Sequence, residues 1–175
     1  MKAIYVITTG GTIEKGYSER SGSVGNFKNK IEQYLRLLRL PDSAVNVVPL
    51  LNKDSLEMND ADRELILATV KALLTEAAPI IITHGTDTMV ETGLFLKQLL
   101  PGVRIPVVLT GAMAPLGFEA SDGLQNLTES LFGARVLSPG IYIVMHNQAF
   151  PIDCVTKDHT LGRFVAADQT HVLSG

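Results

Sequence analysis

Apolar residues fall into short continuous runs that alternate along the chain with longer segments of mixed polarity. The runs are rich in Val and Ile, which is typical of strands buried on both faces of a parallel sheet. They occupy residues 3–7, 44–51, 79–83, 106–110 and 141–145. We therefore predict that these runs form a mostly parallel β-sheet.

The segments between the runs are predicted to be helices. They cover residues 28–39, 61–77, 90–100 and 123–136. Asn59 or Asp60 is expected to cap the second helix, and Asp87 or Thr88 the third, because short polar side chains accept hydrogen bonds from the first free amides. The residues expected on the apolar face of the second helix are Leu65, Ala68, Ala72 and Leu73.

Alternation of strands and helices is typical of an α/β domain with three αβα layers. We expect one such domain over residues 1–175, ending in an antiparallel hairpin at residues 154–165. Residues 14–26 fit neither element, because they are rich in Gly and Ser and poor in apolar side chains. We predict that this segment is a mobile surface loop that closes over a cleft as a lid.

Composition excludes several functional classes. The chain is 46% hydrophobic and 19% charged, and its net charge of −3 argues against nucleic acid as a partner. Cys154 is the only cysteine and the four histidines show no ligand spacing, so neither a disulfide nor a metal site is expected. No run approaches the roughly 20 apolar residues that cross a bilayer. Without a recognisable signal peptide, the protein is expected to be cytoplasmic.

Two threonine-bearing turns follow predicted strands. The first is TTGGTI at residues 8–13, and the second is THGTDT at residues 83–88. Ligands of open α/β sheets bind in the crevice beyond the carboxyl ends of the strands, so we expect both turns to line one cleft.

These turns contain candidates for nucleophilic catalysis. Thr12 and Thr86 carry hydroxyls, which become nucleophiles only when a base takes their proton. Tyr17 or Lys157, held in its neutral form, could be that base. Glycines at positions 10, 11 and 85 allow close approach of a ligand, and their amides could bind an oxyanion. No G-x-S-x-G motif indicates a serine triad, and neither phosphate-loop nor dinucleotide-binding patterns are satisfied.

Five segments in order make the chain similar to the bacterial-type L-asparaginase/glutaminase family. Two of the segments are the threonine-bearing turns. The other three are DSLEM at residues 54–58, TGAM at 110–113 together with SDG at 121–123 and Asn126, and VTK at 155–157. The resemblance implies an amidohydrolase that needs no cofactor. In many relatives a polar residue contacts the substrate carboxylate where this chain has Leu56.

The resemblance also implies a role for each matching residue. Thr12 would be the nucleophile, with Tyr17 from the lid close to it. Thr86, Asp87 and Lys157 would form a second catalytic group. The substrate-binding residues would be Gly11, Asp54, Ser55, Gly85, Thr86 and Asp87, with Ser55 and Asp87 holding the α-carboxylate and α-amino groups. His84 is interpreted as a supporting residue.

The predicted reaction is hydrolysis of L-asparagine to L-aspartate and ammonia through an acyl-threonine intermediate, and the sequence leaves open whether L-glutamine is also a substrate. The alternatives are an ammonia-releasing subunit of a tRNA-dependent amidotransferase and a non-catalytic amino-acid-binding module. The chain is expected to be a short variant without the C-terminal domain of full-length relatives. Since that domain contributes to a neighbouring subunit's site, we expect a homodimer or a dimer of dimers.

Overall fold

A computed structural model describes residues 2–18, 23–26 and 30–167. The elements follow the predicted alternation of strands and helices. In chain order they are β1 (Lys2–Gly10), β2 (Lys15–Ser18), β3 (Ser23–Asn26), α1 (Lys30–Leu35), β4 (Ser43–Lys53), α2 (Asp60–Leu73), β5 (Ile80–Thr83), α3 (Met89–Leu99), β6 (Pro106–Thr110), α4 (Gly123–Val136), β7 (Gly140–Met145), β8 (Gln148–Pro151), β9 (Val155–Asp158) and β10 (Arg163–Ala166).

A six-stranded sheet with the order β4-β1-β5-β6-β7-β8 forms the centre of the fold. Its first five strands are parallel and β8 is antiparallel to β7. Successive residues of β5 point to opposite faces: Ile80 and Ile82 pack with α2 and α3, and Ile81 packs with α1 and α4. Two apolar cores therefore enclose the sheet, which confirms the three-layer α/β prediction.

The apolar face predicted for α2 is wrong except at Leu73, which packs against the core. Ile66, Leu67 and Val70 are buried, whereas Leu65 and Ala68 are exposed. Both sets of residues have helical spacing, but the buried set removes more apolar surface from water because it contains the larger side chains. The predicted cap is confirmed, since Asn59 and Asp62 form a reciprocal capping box.

Two other helices differ from expectation at their ends. The α1 helix ends at Leu35 rather than near residue 39, because the chain tightens into turns in which the amides of Leu37 and Leu38 donate to carbonyls three residues back. Thr88 occupies the N-cap position of α3 but makes no side-chain cap bond. Its hydroxyl instead donates to the carbonyl of Ser55, 2.9 Å away.

The expectation of an irregular loop at residues 14–26 is wrong within the described residues. Strands β2 and β3 pair antiparallel, with Gly16 opposite Gly25. Backbone hydrogen bonds hold the two strands of this ribbon together. Because such pairing does not require alternating apolar side chains, the sequence contains no pattern that would have predicted these strands. Mobility and a lid function stay predictions, and residues 19–22 lie outside the described part of the chain.

The hairpin expected at residues 154–165 is confirmed as the antiparallel pair β9 and β10. Strand β8 was not predicted. It follows a tight turn in which His146 and Asn147 have φ of 53° and 61°, a conformation that suits two-residue hairpin loops. No described helix has both the length and the apolar character needed to span a membrane.

Candidate active site

The two threonine turns lie side by side at the carboxyl edge of the sheet. Strands β1 and β5 are adjacent and parallel, with Thr8 opposite Thr83. A Cβ atom added to Gly11 would lie 2.5 Å from the amide nitrogen of Gly85. Because Gly11 also has a φ of 78°, only glycine fits this contact. The predicted proximity of the turns is therefore present in the structure.

The glycine amides of the first turn are already occupied. The amide of Gly10 donates to Glu14 Oε2 at 2.7 Å, and the amide of Gly11 donates to the carbonyl of Lys53 at 2.9 Å. The expectation that these two amides bind an oxyanion is therefore wrong. Their role in the structure is to fix the backbone immediately before Thr12, which begins a short 3-10 turn and is half-buried.

Glu14 is a buried acid that sequence reasoning missed, because the residue was assigned to a loop. Its side chain is 4% exposed. Burial raises its pKa from 4.5 to about 7, although hydrogen bonds from the Gly10 amide and the Thr8 side chain act in the opposite direction.

We expect this carboxyl to make folding stability depend on pH. The folded chain binds its proton more tightly than the unfolded chain, so the contribution of Glu14 is complete below pH 4.5 and is lost as the pH rises to about 7. The loss should be about 3 kcal/mol. Chemical unfolding at acidic and alkaline pH should show this loss of unfolding free energy in the wild type and not in Glu14→Gln. Identical pH dependence of the two proteins would contradict the prediction.

Thr86, Asp87 and Lys157 form a compact polar group. Lys157 Nζ donates to Thr86 Oγ1 at 2.8 Å and to Asp87 Oδ1 at 2.6 Å. Lys157 comes from β9, whereas the other two residues belong to the turn after β5. The lysine side chain is 12% exposed and its position brings an ammonium, a hydroxyl and a carboxylate to the edge that carries Thr12.

Tyr17 is the predicted catalytic residue that the ribbon of β2 and β3 contributes. It lies on β2 and its side chain is 60% exposed. The phenol is thus open to solvent. Its proposed closeness to the nucleophile stays a prediction.

Ser55 lies in a 3-10 turn after β4 and is 1% exposed. Its Oγ atom has no hydrogen-bond partner among the described residues. It packs against Gly85, where an added Cβ atom would lie 2.5 Å from it. A buried hydroxyl without a partner is costly, which is consistent with a polar ligand group completing its bonding.

Asp54 connects the Ser55 turn to the ribbon of β2 and β3. Its carboxylate accepts a hydrogen bond from Lys15 Nζ at 2.8 Å and caps the turn at the Leu56 amide. The Lys15 ammonium is the main reason that the pKa of Asp54 lies below its ordinary value. Leu56, whose side chain is 72% exposed, offers no polar group to a substrate.

His84 holds the second turn in place through hydrogen bonds of its imidazole ring. It is fully buried, with Nδ1 2.7 Å from the Gly85 carbonyl and Nε2 2.9 Å from Thr92 Oγ1. A carbonyl only accepts, so Nδ1 carries the proton and Thr92 donates to Nε2. Burial lowers the pKa of His84 to about 4, which keeps the ring neutral.

A second supporting network is centred on Asp122, which the sequence showed only as part of a family motif without a role. Asp122 accepts the amides of Met113 and Ala114 and a hydrogen bond from Asn126, and it lies 2.7 Å from His146 Nε2. Burial opposes its ionisation, but these bonds outweigh burial and the pKa lies below its ordinary value. The network fixes the loop after β6. In the described ranges no three His, Cys, Asp or Glu side chains could hold a metal ion.

The sequence matches known proteins over most of its length. The family model described as "Asparaginase, N-terminal" matches residues 3–171. The chain belongs to the asparaginase family. It is 33% identical over 159 residues to the L-asparaginase of Thermococcus kodakarensis, a match that covers 91% of this chain and 48% of the relative. The chain thus spans about half the length of such curated relatives.

Solved asparaginase structures have the same fold. The thermostable L-asparaginase from Thermococcus kodakarensis superposes with a TM-score of 0.87 at 33% identity, covering 94% of this chain and 51% of that one. A probable cytoplasmic L-asparaginase from Campylobacter jejuni superposes with a TM-score of 0.83 at 27% identity, covering 97% and 54%. The fold of this chain therefore corresponds to about half of each asparaginase structure.

Proposed function

We propose that the chain hydrolyses the side-chain amide of L-asparagine to L-aspartate and ammonia. The observation that carries the proposal is the contact of Lys157 with Thr86 and Asp87 on a turn that packs directly against Gly11, the residue before Thr12. Relatives named L-asparaginase support the choice of substrate.

Thr12 Oγ1 is the proposed nucleophile. It bonds to the amide carbon, its proton passes to a base of the site, and the C–N bond breaks as ammonia leaves with a proton. Water then attacks the acyl-threonine ester, releases aspartate and restores the Thr12 hydroxyl. Tyr17 and the group of Thr86, Asp87 and Lys157 are the two candidate proton carriers.

Lys157 can move a proton only after it has lost one. As an ammonium it donates both of its hydrogen bonds, and the acceptor best placed to take a proton from it is Asp87 Oδ1 at 2.6 Å. The neutral amine then accepts the proton of Thr86, 2.8 Å away, as Thr86 takes the proton that Thr12 gives up in its attack. The three residues would act as one unit, and Asp87 would keep its second oxygen for the substrate's α-amino group.

Ammonia release from L-asparagine and L-glutamine by the purified chain tests the proposed reaction. We expect equal amounts of ammonia and aspartate from L-asparagine. Absence of ammonia with both amides would overturn it. In that case, calorimetric binding of L-asparagine without turnover would favour the amino-acid-binding module, and release only in the presence of a tRNA-modifying partner would favour the amidotransferase subunit.

Ser55 is proposed to hold the substrate carboxylate, because its buried hydroxyl has no other partner in the described residues. Ser55→Ala should raise KM about 10- to 100-fold, the effect of losing one hydrogen bond to a charged group. The turnover number should change little, since the contact is the same in substrate and transition state. Ser138→Ala, at an exposed position, is the matched control. An unchanged KM in Ser55→Ala would remove Ser55 from the substrate site.

We further propose that the chain acts as one catalytic domain, in the cytoplasm, as a homodimer or dimer of dimers. Phe132 and Val136 lie one turn apart on α4 and are largely exposed, which suits an interface with another copy. Sedimentation at assay concentration should show at least a dimer. A fully active monomer would contradict the assembly, and cell fractionation tests the location.

A further inference from the structure

The Glu14 side chain closes a short loop around the proposed nucleophile. Its Oε2 atom accepts the amide of Gly10 at 2.7 Å, and its own amide donates to the carbonyl of Gly11 at 3.2 Å. Thr12 lies between these two attachments. Both ends of the segment from Gly10 to Glu14 are therefore held by the same buried residue.

We propose that Glu14 is a positioning residue whose carboxyl clamps the turn and thereby aims the Thr12 hydroxyl at the substrate. The inference rests on the proposed role of Thr12 as nucleophile. Glu14 itself acts through the backbone and is not assigned contact with the substrate.

The turn needs such a clamp because its backbone is unusual. Gly10 and Gly11 have φ of 98° and 78°, and glycine has little conformational preference of its own. The pairing of β1 with β4 also shifts register between Thr8 and Gly10. Next to this irregularity the Gly10 amide bonds to the Glu14 carboxyl. The carboxyl therefore selects one conformation of a turn that would otherwise have several.

The strength of the clamp should depend on protonation. Burial gives Glu14 a pKa of about 7, with the Gly10 amide and the Thr8 side chain as its polar neighbours. Lys15 follows it in sequence but pairs with Asp54, and Lys30 of α1 donates to the Lys15 carbonyl. The ionised carboxylate is the stronger acceptor. We therefore expect the hydrogen bond to the Gly10 amide to be stronger above neutral pH, although ionisation of the buried carboxyl lowers the free energy of unfolding of the chain as a whole.

Glu14→Gln and Glu14→Ala separate the parts of this proposal. Glutamine keeps an oxygen that accepts the Gly10 amide but does not titrate, and alanine removes the clamp. Glu64→Gln, at an exposed position of α2, is the matched control. Each protein is studied by kinetics with L-asparagine across pH and by following the Gly10 and Thr12 amide signals of ¹⁵N-labelled protein.

We expect the alanine variant to lose about 10- to 100-fold in kcat, the effect of a misplaced reacting group, with less than about a threefold change in KM. Glutamine should restore most of the rate and abolish an inflection of kcat near neutral pH. The Gly10 amide signal should titrate near pH 7 in the wild type and in Glu64→Gln, and not in Glu14→Gln.

The amide titration distinguishes failure of this inference from failure of the proposed hydrolysis. If the wild type releases no ammonia, titration of the Gly10 and Thr12 signals in the wild type and its loss in Glu14→Gln still support the clamp. A Gly10 signal that does not respond to pH, or that titrates equally in Glu14→Gln, overturns it. An alanine variant with lowered thermal stability but wild-type kcat also overturns it, because Glu14 would then be only structural.

Discussion

Thr12→Ala should lower turnover by about four to six orders of magnitude, the usual effect of removing a catalytic nucleophile. Alanine removes the hydroxyl and the γ-methyl group of Thr12 but leaves the backbone contacts of Gly10 and Gly11 that shape the turn. Folding and binding of L-asparagine should therefore remain close to wild type. Ammonia release measured together with calorimetric binding checks both parts of the expectation.

Two further variants control this experiment. Thr12→Ser keeps a hydroxyl at the same position and should retain measurable turnover. Thr75→Ala, at an exposed position that follows α2, should behave as wild type. A variant without its nucleophile usually retains far less than about a tenth of wild-type turnover. If Thr12→Ala keeps more than that, Thr12 is not the nucleophile. Thr86 then becomes the residue to test.

Lys157→Met should lower turnover by about 10²–10⁴-fold, the contribution typical of a positioned proton carrier. Methionine fills similar space, but it can neither donate to Thr86 Oγ1 nor pair with Asp87. The fold should tolerate the change because the Asp87 side chain is 36% exposed and water can solvate its charge.

Lys97→Met provides a matched control for Lys157→Met. Lys97 also pairs with an aspartate at 2.6 Å, but the partner is Asp153 and the pair is far more exposed. Loss of an exposed ion pair should leave the rate unchanged and shift stability by less than about 1 kcal/mol. Similar rates for the two variants and the wild type would show that Lys157 is a surface lysine rather than part of the chemistry.

Several parts of the fold were predictable because they depend on local pattern. Strands β5 and β6 are buried at every residue, and a strand buried on both faces must be apolar throughout. The Asn59 cap of α2 was likewise evident from its position before a helical segment. Strand β8 and the ribbon of β2 and β3 escaped prediction because neither contains an apolar run. Backbone hydrogen bonds, rather than side-chain pattern, determine how these strands pair.

Prediction of the candidate site divides in a similar way. The turns at Thr12 and Thr86 follow apolar strands, so their location at one edge of the sheet could be inferred. Lys157 lies 70 residues beyond Asp87, and only the family resemblance connected the two in advance. Glu14 and the Lys15–Asp54 pair were missed because the segment that contains Glu14 and Lys15 was interpreted as a solvated loop.

The sequence by itself determined the alternation of strands and helices, and it determined that glycine and threonine follow β1 and β5. Both depend on neighbours in the chain, through side-chain periodicity and the conformational freedom of glycine. Only the tertiary structure decided that Glu14 is buried against the Gly10 amide and that Lys157 reaches Thr86. Burial and long-range hydrogen bonds depend on which surfaces pack together, and that packing is set by the whole chain rather than by any local pattern.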